Sequence, residues 1–367
     1  MIFSTMADCI IVGAGISGVL TALELERAGA KVILLERAEV GSESSWAGGG
    51  IISPLYPWRY PDAVTELARY GQQHYPSLLD TLQLETGIDP QYQKSGLLIL
   101  DQDEKQQAIK WAEKNNIELQ ALSGNLPLEC EPALNSQTKN ALWMPQVAQL
   151  RNPRLVKAMR AVINSRRITL HEQAAVSGVR IKNNKVQGVS VGEKHFEADN
   201  VLITGGAWSG QILKQLKIET TIQPVKGQMI LLKGTPGLVQ RIVLSAGRYI
   251  IPRQDGRILV GSTLEYTGFK KELTNNAKEE LYQSAIEMMP LLSGLPIEHH
   301  WAGLRPGSDN GVPYIGEHPD VQGLFFNAGH FRNGVVLGPA CARQAADIIL
   351  KREPLLNPLD YSIEAEH

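Results

Sequence analysis

Two basic side chains near the C-terminal end of the chain lie in a turn that is rich in glycine. The segment NAGHFRNGVVLGPACARQAADII (327–349) holds His330 and Arg332 in its first half. Its second half has the apolar spacing of a helix, which we predict to begin near Asn333 and Gly334. The chain thus directs an arginine and a helix start to one place.

Three glycines near the N-terminus have the spacing of a nucleotide-binding turn. Gly13, Gly15 and Gly18 follow a short apolar run in GxGxxG order and precede a helical pattern. The first glycine makes the tight turn, the second lets a pyrophosphate approach the backbone, and the third lets the helix pack against the strand. A second apolar run ends at Glu36, where a carboxylate accepts hydrogen bonds from an adenosine ribose. The unit predicts a cofactor that contains ADP, either NAD or FAD, and Glu36 argues against a 2′-phosphate.

A glycine- and serine-rich segment, GSESSWAGGGIISP (41–54), follows the second strand directly. A fingerprint that serves NAD would normally continue into another helix at this point. A loop of glycines and hydroxyl groups suits a second approach to a pyrophosphate and to a flat ring. The apolar pair Ile51 and Ile52 argues against a free surface loop.

Composition limits the class of protein. A chain of 367 residues usually forms two domains, and its net charge of −2 gives no reason to expect nucleic acid as a partner. The three cysteines are far apart, without a CxxC pair or a His/Cys cluster, so we expect reduced thiols and no metal site. No apolar run is long enough for a membrane span, and the first residues lack the features of a secretory signal. We expect a cytoplasmic protein.

The middle of the chain changes from helical to strand-like patterning. We predict helices at 61–85, 103–116 and 151–165, the last with Asn152 as its N-cap and Pro153 as its first residue, and a strand at 94–100. A hairpin with its tip at 183–184 follows, and 201–213 then repeats the strand–Gly–Gly–helix pattern at Gly205.

Strand-like runs separated by turns continue from 224 to 306, interrupted by one helix near 275–289. The predicted fold class is α/β: a Rossmann-type domain for the ADP-containing cofactor plus an antiparallel-sheet domain. We predict a discontinuous cofactor-binding domain at 1–85, 146–223 and 301–367, and a substrate-binding domain at 86–145 and 224–300. A ligand is expected where the two domains meet.

Several stretches, in order along nearly the whole chain, resemble the FAD-dependent D-amino-acid oxidase (DAO) family and, within it, the glycine oxidases of thiamine biosynthesis. They are IIVGAGISG…LLER, ESSWAGGGIISP, VLITGGAWSG, PVKGQ, RYIIPRQDGRILVGST, WAGLRPGSDNGVPYIG and AGHFRNGVVLGP. The resemblance implies a glutathione-reductase-like FAD domain and non-covalent FAD, because no cysteine lies in the WAGLRPGSDNGVPYIG stretch.

The resemblance also assigns site residues. The adenosine and pyrophosphate contacts are expected at the fingerprint glycines Gly13, Gly15 and Gly18 and at Ile16, Ser17, Glu36, Arg37, Val176 and Gly205. Those along the pyrophosphate and flavin are Ser44, Ser45, Gly49, Gly50 and Ile51, and those at the flavin end are His330, Phe331, Arg332, Asn333, Gly334, Val335 and Val336. Tyr249, Arg305 and Arg332 match the positions that meet the substrate and are our catalytic candidates.

The expected reaction is hydride transfer from the α-carbon of glycine, sarcosine or a small D-amino acid to flavin N5, giving a 2-oxo acid, ammonia and hydrogen peroxide. In this reading Arg332 pairs with the substrate carboxylate, while the helix start faces the flavin edge that becomes negative on reduction. Such a step does not require a side-chain base, so we read His330 as part of the flavin turn rather than as a general base. Gly247, Arg248 and Leu264 depart from the expected pattern and indicate a pocket wider than glycine needs, so larger D-amino acids stay open as substrates.

Two alternative functions use the same fold. One is a D-amino-acid dehydrogenase that passes electrons to a quinone or another acceptor instead of oxygen. The other is an FAD-dependent demethylase of modified RNA, which the missing basic stripe disfavours. A homo-oligomer is also possible.

Overall fold

The computed structural model describes residues 6–365. Its strands are β1 (Ala7–Val12), β2 (Val32–Leu35), β3 (Gln93–Lys94), β4 (Leu97–Ile99), β5 (Gln120–Ser123), β6 (Asn140–Met144), β7 (Ala148–Gln149), β8 (Ile168–His171), β9 (Gly178–Lys182), β10 (Lys185–Val191), β11 (Lys194–Ile203), β12 (Gln223–Lys233), β13 (Ile242–Ser245), β14 (Arg248–Pro252), β15 (Arg257–Gly261), β16 (Ile297–Gly307), β17 (Tyr314–His318) and β18 (Val321–Ala328). Its helices are α1 (Ile16–Arg27), α2 (Ser44–Ala47), α3 (Asp62–Thr86), α4 (Lys105–Asn115), α5 (Leu126–Cys130), α6 (Asn152–Ser165), α7 (Ser209–Gln215), α8 (Asn275–Met288) and α9 (Gly334–Ile349).

The first sheet has the strand order β17-β18-β10-β11-β1-β2-β8, with β9 paired to β10. At its centre β1 lies parallel to β2 and β11, and β11 lies parallel to β18. Parallel strands are buried on both faces, which explains the continuous apolar runs in the sequence. This is the Rossmann-type layer that the N-terminal fingerprint predicts.

Side chains alternate between the two faces of this sheet and form two cores. Ile11 and Leu34 face the helices α1, α3, α6 and α9, where Val19, Leu67 and Leu337 are fully buried. The neighbouring residues of β1 and β2 face the other side, towards the hairpin β9–β10 and helix α7. Because α1 and α9 pack side by side on one face, the starts of both helices are held near the carboxyl end of β1.

The second sheet has the order β16-β12-β15-β14-β13-β4-β6-β5. Its pairings are antiparallel except that of β13 with β4, which is parallel. Helix α8 packs on one face, against Ile250 and Val260, while the other face carries Tyr249 and Leu259. The predicted α/β fold class with a largely antiparallel second sheet is thereby confirmed.

The boundaries of the two domains stay a prediction, but the strands can be assigned to sheets. Strands β4, β5 and β6 and strands β12 to β15 all lie in the second sheet. Strand β16 belongs to the same sheet through Gly307, beyond the boundary that we placed at 300/301. We therefore propose that the division between the domains follows this strand.

Two local expectations differ from the structure. Helix α6 begins at Asn152 itself and has Arg151 as its N-cap; the Asn152 side chain instead donates to the Ser45 carbonyl at 2.7 Å. The glycine- and serine-rich segment, expected as a loop, contains the one-turn helix α2. A tertiary contact with the Ser45 carbonyl thus replaces the local cap that we expected from Asn152.

The helix predicted at 61–85 is confirmed as α3, which spans Asp62–Thr86. It ends at Gly87, whose φ of +69° is the left-handed conformation that closes helices. The tip of the β9–β10 hairpin has Asn183 and Asn184 at positive φ, as a two-residue turn of this type requires. Within residues 6–365, no helix combines the length and apolar character that crossing a membrane needs.

Candidate active site

One cleft with a cavity of about 450 Å³ lies between the two sheets. The first sheet contributes the turn after β1 and the end of β2, and the second contributes β12, β14 and β16. Most of the residues predicted for cofactor and substrate line this cleft, namely Gly13, Gly15, Ile16, Ser17, Glu36, Arg37, Ser44, Ser45, Gly49, Gly50, Ile51, Val176, Gly205, Tyr249, Arg305, His330, Phe331, Arg332, Gly334 and Val335.

Glu36 stands at one end of the cleft. Its carboxylate accepts hydrogen bonds from the backbone N–H groups of Ala14 at 2.8 Å and Ala38 at 2.9 Å. Each oxygen keeps further acceptor capacity, so the carboxylate is fixed and can still receive ribose hydroxyls. Val176 lines the cleft at the same end, on the opposite wall.

The start of α1 forms the next part of the wall. Gly13 has φ +110°, and a Cβ there would stand 2.6 Å from the Thr204 carbonyl oxygen. The Ser45 hydroxyl accepts from the Ile16 N–H at 2.9 Å. The remaining N–H groups of the first turn have no acceptor within the helix, which makes a helix start a site for phosphate oxygens.

Arg37 and Glu43 form a charged edge over this part of the cleft. The Arg37 guanidinium lies over the Trp208 ring at 3.4 Å from its centroid and donates to Glu43 at 2.7 Å. Sequence reasoning missed Trp208, although it follows the Gly205–Gly206 turn. Its signal was an aromatic side chain beside a glycine pair at the end of a parallel strand.

The segment from Gly49 to Ile51 forms the wall of the cleft between the start of α1 and the arginines. Gly50 has φ +77°, and a Cβ there would stand 2.1 Å from the Leu150 carbonyl oxygen. Ile51 forms a β-bridge with Gln149. This bare stretch of backbone is therefore held against strand β7, and only glycine fits at its centre.

Tyr249, Arg305 and Arg332 meet at the other end of the cleft. Tyr249 is 7% exposed, and its hydroxyl lies 3.7 Å from the sulfur of Met229. The Arg305 guanidinium donates to Ser262 Oγ at 2.6 Å and to the Thr263 carbonyl at 3.2 Å. Arg332 comes from the turn before α9, so three separate segments converge here.

The two arginines differ in how they are held. Burial lowers the pKa of Arg305, and the positive charge of Arg332 lowers it further, while Tyr249 raises it through its charge and a hydrogen bond. Neither arginine forms an ion pair with a carboxylate of the described chain, but Arg305 is hydrogen-bonded to the 262–263 segment, whereas the Arg332 guanidinium has no hydrogen-bond partner there. A half-buried guanidinium in a cleft without a carboxylate partner is suited to an anionic ligand.

His330 lies in the turn before α9 and is 4% exposed. Burial lowers its pKa from the ordinary value of 6.5 to about 4. Its Nε2 lies 2.9 Å from Asn327 Oδ1, and the Asn327 amide nitrogen donates to the Cys341 carbonyl. The amide oxygen therefore accepts, which makes Nε2 the protonated nitrogen of a neutral imidazole. A buried group with so low a pKa is a poor general base near neutral pH.

The FAD dependent oxidoreductase (DAO) family matches residues 8–348. The chain belongs to this family. It is 47% identical to a glycine oxidase of Pseudomonas aeruginosa over 354 residues, which cover 96% of this chain and 97% of that protein. It is 44% identical to a glycine oxidase of Pseudomonas putida, over 97% of this chain and 98% of that protein. The crystal structure of a glycine oxidase from Geobacillus kaustophilus superposes with a TM-score of 0.93 at 26% identity, covering 99% of each chain.

FAD is accordingly the cofactor of this oxidoreductase, as the resemblance in the sequence implied. The cleft fits FAD on its own terms, because it combines a carboxylate for ribose, a helix start for phosphate and a bare backbone segment for a flat ring.

Three residues that we predicted as FAD contacts lie behind the wall of the cleft. Gly18 packs against Gly13, and a Cβ on Gly18 would stand 1.9 Å from the Gly13 carbonyl oxygen. Val336 is buried in the core of the first sheet. Asn333 caps α9 and is 2% exposed. Direct contact of these three residues with FAD stays a prediction.

Proposed function

We propose that the protein catalyses the oxidative deamination of glycine or a similar small amine, such as sarcosine or a small D-amino acid, with oxygen as the acceptor. The observation that carries this proposal is the Arg332 guanidinium, which stands in the cleft beside Arg305 and Tyr249 without a carboxylate of the protein as its partner. The glycine oxidases to which the chain is similar give the substrate class.

Arg332 binds the substrate carboxylate in this proposal. Its planar fork of donors matches the two carboxylate oxygens, and such a pair is stronger than a contact with a point charge. Because the guanidinium is half-buried, the pair forms where solvent screening is weak. The carboxylate is thereby fixed in one orientation at the cleft end that Tyr249 and Arg305 share.

Arg305 and Tyr249 shape the pocket around the bound substrate. Arg305 adds a second positive charge, and its bonds to Ser262 and Thr263 keep it from swinging into the space of the substrate. Tyr249 lies against Gly49 and Gly261, both of which lack a side chain at that contact. The ring thus closes the pocket on the side of the second sheet and excludes water.

The residues of the chain orient the amine and move no proton of the substrate themselves. Bound FAD supplies the hydride acceptor, and oxygen reoxidises it with release of hydrogen peroxide. The imine product leaves and hydrolyses to a 2-oxo acid and ammonia, or to a 2-oxo acid and methylamine when sarcosine is the substrate. His330 stays neutral in the turn and is bonded to Asn327, so we assign it a structural part.

The test combines a substrate screen with one variant. Glycine, sarcosine and D-alanine are added to the FAD-loaded protein without oxygen, and the bleaching of the flavin absorbance is followed. We expect bleaching by at least one of them and peroxide formation when air is admitted. The Arg332→Ala variant should retain FAD but bind the amine and glycolate roughly 30-fold more weakly or worse, since a charge-assisted bidentate contact contributes ~2–5 kcal/mol.

The control is Arg167→Ala, which removes an arginine whose side chain is 84% exposed, far from the cleft lining. It should behave as the parent protein in both measurements. Normal affinity for amine and glycolate in Arg332→Ala would refute the carboxylate assignment. Dye reduction without peroxide would favour a dehydrogenase over an oxidase.

A further inference from the structure

A third arginine, Arg253, lies behind the wall of the cleft. It follows β14 directly and is 8% exposed. Its guanidinium donates to Gln149 Oε1 at 2.8 Å, to the Leu150 carbonyl at 3.0 Å and to the Gly49 carbonyl at 2.8 Å. All three acceptors are neutral.

The positive charge of Arg253 is not neutralised by the protein. Across residues 6–365, no carboxylate lies within ion-pair distance of its guanidinium. The nearest acid along the chain, Asp255, is already paired with Arg151 at 2.8 Å and with Arg257 at 2.9 Å. Burial, and next the charge of Arg151, lower the pKa of Arg253 to about 10, so the group stays protonated near neutral pH.

The three acceptors belong to two neighbouring segments of backbone. The Leu150 N–H donates to the Gly50 carbonyl, and the Ile52 N–H donates to the Ala148 carbonyl, both at 2.8 Å. These bonds make a short two-stranded ladder from residues 48–52 and 148–150. Arg253 donates to carbonyl groups on both sides of it, which a planar fork with several donors can do and a lysine cannot.

The same hydrogen bonds could be made without a charge. Burying an unpaired cation costs several kcal/mol, and a neutral amide or a backbone rearrangement would satisfy carbonyl groups more cheaply. A buried charge acts over a longer range than a hydrogen bond, because the surroundings screen it weakly. The segment between Arg253 and the cleft is the one that carries Gly49, Gly50 and Ile51.

We propose that Arg253 is a positioning residue of the FAD site: its guanidinium fixes the 49–51 segment, and its unpaired charge favours the reduced, negatively charged form of the cofactor. This inference rests on the proposed placement of the flavin end of FAD along Gly49–Ile51. It does not depend on which amine is the substrate.

Two substitutions distinguish the effect of the planar guanidinium of Arg253 from the effect of its positive charge. Arg253→Lys keeps the charge and loses the planar fork, and Arg253→Gln keeps amide donors and loses the charge. The measurements are the dissociation constant of FAD, from flavin fluorescence, and the midpoint potential of the bound flavin, from a dye-coupled reductive titration. Neither measurement uses an amino acid, so failure of this proposal and failure of the proposed substrate are distinguishable.

We expect Arg253→Lys to bind FAD roughly tenfold more weakly, which corresponds to about one lost hydrogen bond, and to keep a midpoint potential close to that of the parent. We expect Arg253→Gln to shift the midpoint potential to a more negative value. The matched control is Arg257→Gln, which removes an arginine of the next strand that is paired with Glu298 at the surface. It should leave both quantities unchanged.

Gln149→Met tests the same contact from the acceptor side if an Arg253 variant fails to fold. It removes the Gln149 Oε1 acceptor at 2.8 Å while leaving the buried charge in place. We expect weaker FAD binding and an unchanged potential. A parental potential in folded Arg253→Gln, or parental FAD affinity in both Arg253→Lys and Gln149→Met, would overturn the proposal.

Discussion

Each arginine around the cleft meets a different set of partners, and these sets indicate different tasks. Arg305 is bonded to Ser262 and Thr263, and Arg253 is bonded to three neutral oxygens beneath the backbone wall. Arg332 also faces the cleft, and within residues 6–365 its guanidinium has neither a hydrogen bond nor an ion pair. We infer from these environments that Arg305 shapes the rim of the pocket, Arg253 supports the wall of the cleft and Arg332 binds the ligand.

His330 carries a prediction about stability and pH. Because its pKa falls from 6.5 in the unfolded chain to about 4 in the native state, the unfolded chain binds more protons between these values. Native stability is therefore highest above pH 6.5 and declines as the pH falls towards 4. Between pH 7.5 and pH 5 the loss from this residue is about 2 kcal/mol.

The measurement is the free energy of unfolding in urea of FAD-loaded protein at pH 7.5 and pH 5. His330→Gln, which can still donate to Asn327, should lose about 2 kcal/mol less than the parent on acidification. His195→Gln changes an exposed histidine and should leave the difference as it is. Equal acid sensitivity in the parent and in His330→Gln would contradict the low pKa.

Among the elements, the 48–52 segment leaves no room for a side chain at Gly50. Gly50 has φ +77°, and its missing Cβ makes room for the Leu150 carbonyl and the Asn152 side chain. Gly87 has a similar φ of +69° but open space around it. Gly87→Ala should therefore cost only the strain of the left-handed conformation, about 1–2 kcal/mol, and keep FAD.

Gly50→Ala should displace the segment from β7 and lose tight FAD binding, because the new Cβ would stand 2.5 Å from Asn152 Oδ1 and closer still to the Leu150 carbonyl oxygen. Flavin absorbance after gel filtration, together with thermal unfolding of both variants, distinguishes the two effects. FAD retention in Gly50→Ala equal to that in Gly87→Ala would show that close contact at this position is unimportant.

Much of the element order could be predicted from the sequence because the signals are local. The fingerprint turn, the hairpin at 183–184 and the Gln254-Asp255-Gly256 turn between β14 and β15 all depend on residues that are neighbours in the chain. The prediction of the α6 cap was wrong because it depends on a residue that is distant in the chain. Asn152 has a side chain typical of a cap, but the Ser45 carbonyl, far away in sequence, takes its amide.

Site residues that belong to a sequence motif could be predicted, whereas those brought to the site by tertiary packing could not. The glycines and Arg332 belong to readable motifs, whereas Arg253 ends an apolar strand run and resembles an ordinary strand boundary. Its partners Gly49 and Leu150 come from two distant segments. The parallel pairing of β13 with β4 could not be predicted either, because no local pattern specifies it.

At the scale of the whole molecule, the two sheets are joined across the mouth of the cleft by a charged bridge. Glu43, at the start of α2, binds Arg37 at 2.7 Å and Lys271 at 2.9 Å, and Lys271 lies in the loop between β15 and α8. In the same loop Phe269 packs on Trp208, with ring centroids 5.3 Å apart. Because Arg37, Glu43 and Trp208 line the cleft, we expect this bridge to slow the release of FAD.

Glu43→Gln should therefore release FAD faster, but only by a few fold, since the pairs are partly exposed and each contributes at most about 1 kcal/mol. The rates of release are measured by the rise of flavin fluorescence after dilution, at low ionic strength and in about 1 M NaCl, where surface charges are screened. The variant and the parent should differ at low salt and converge at high salt. Glu39→Gln removes a 62% exposed carboxylate whose partner is Arg160 at 3.5 Å and should match the parent throughout. If Glu43→Gln also matched the parent at low salt, the charges of this bridge would contribute nothing to FAD retention.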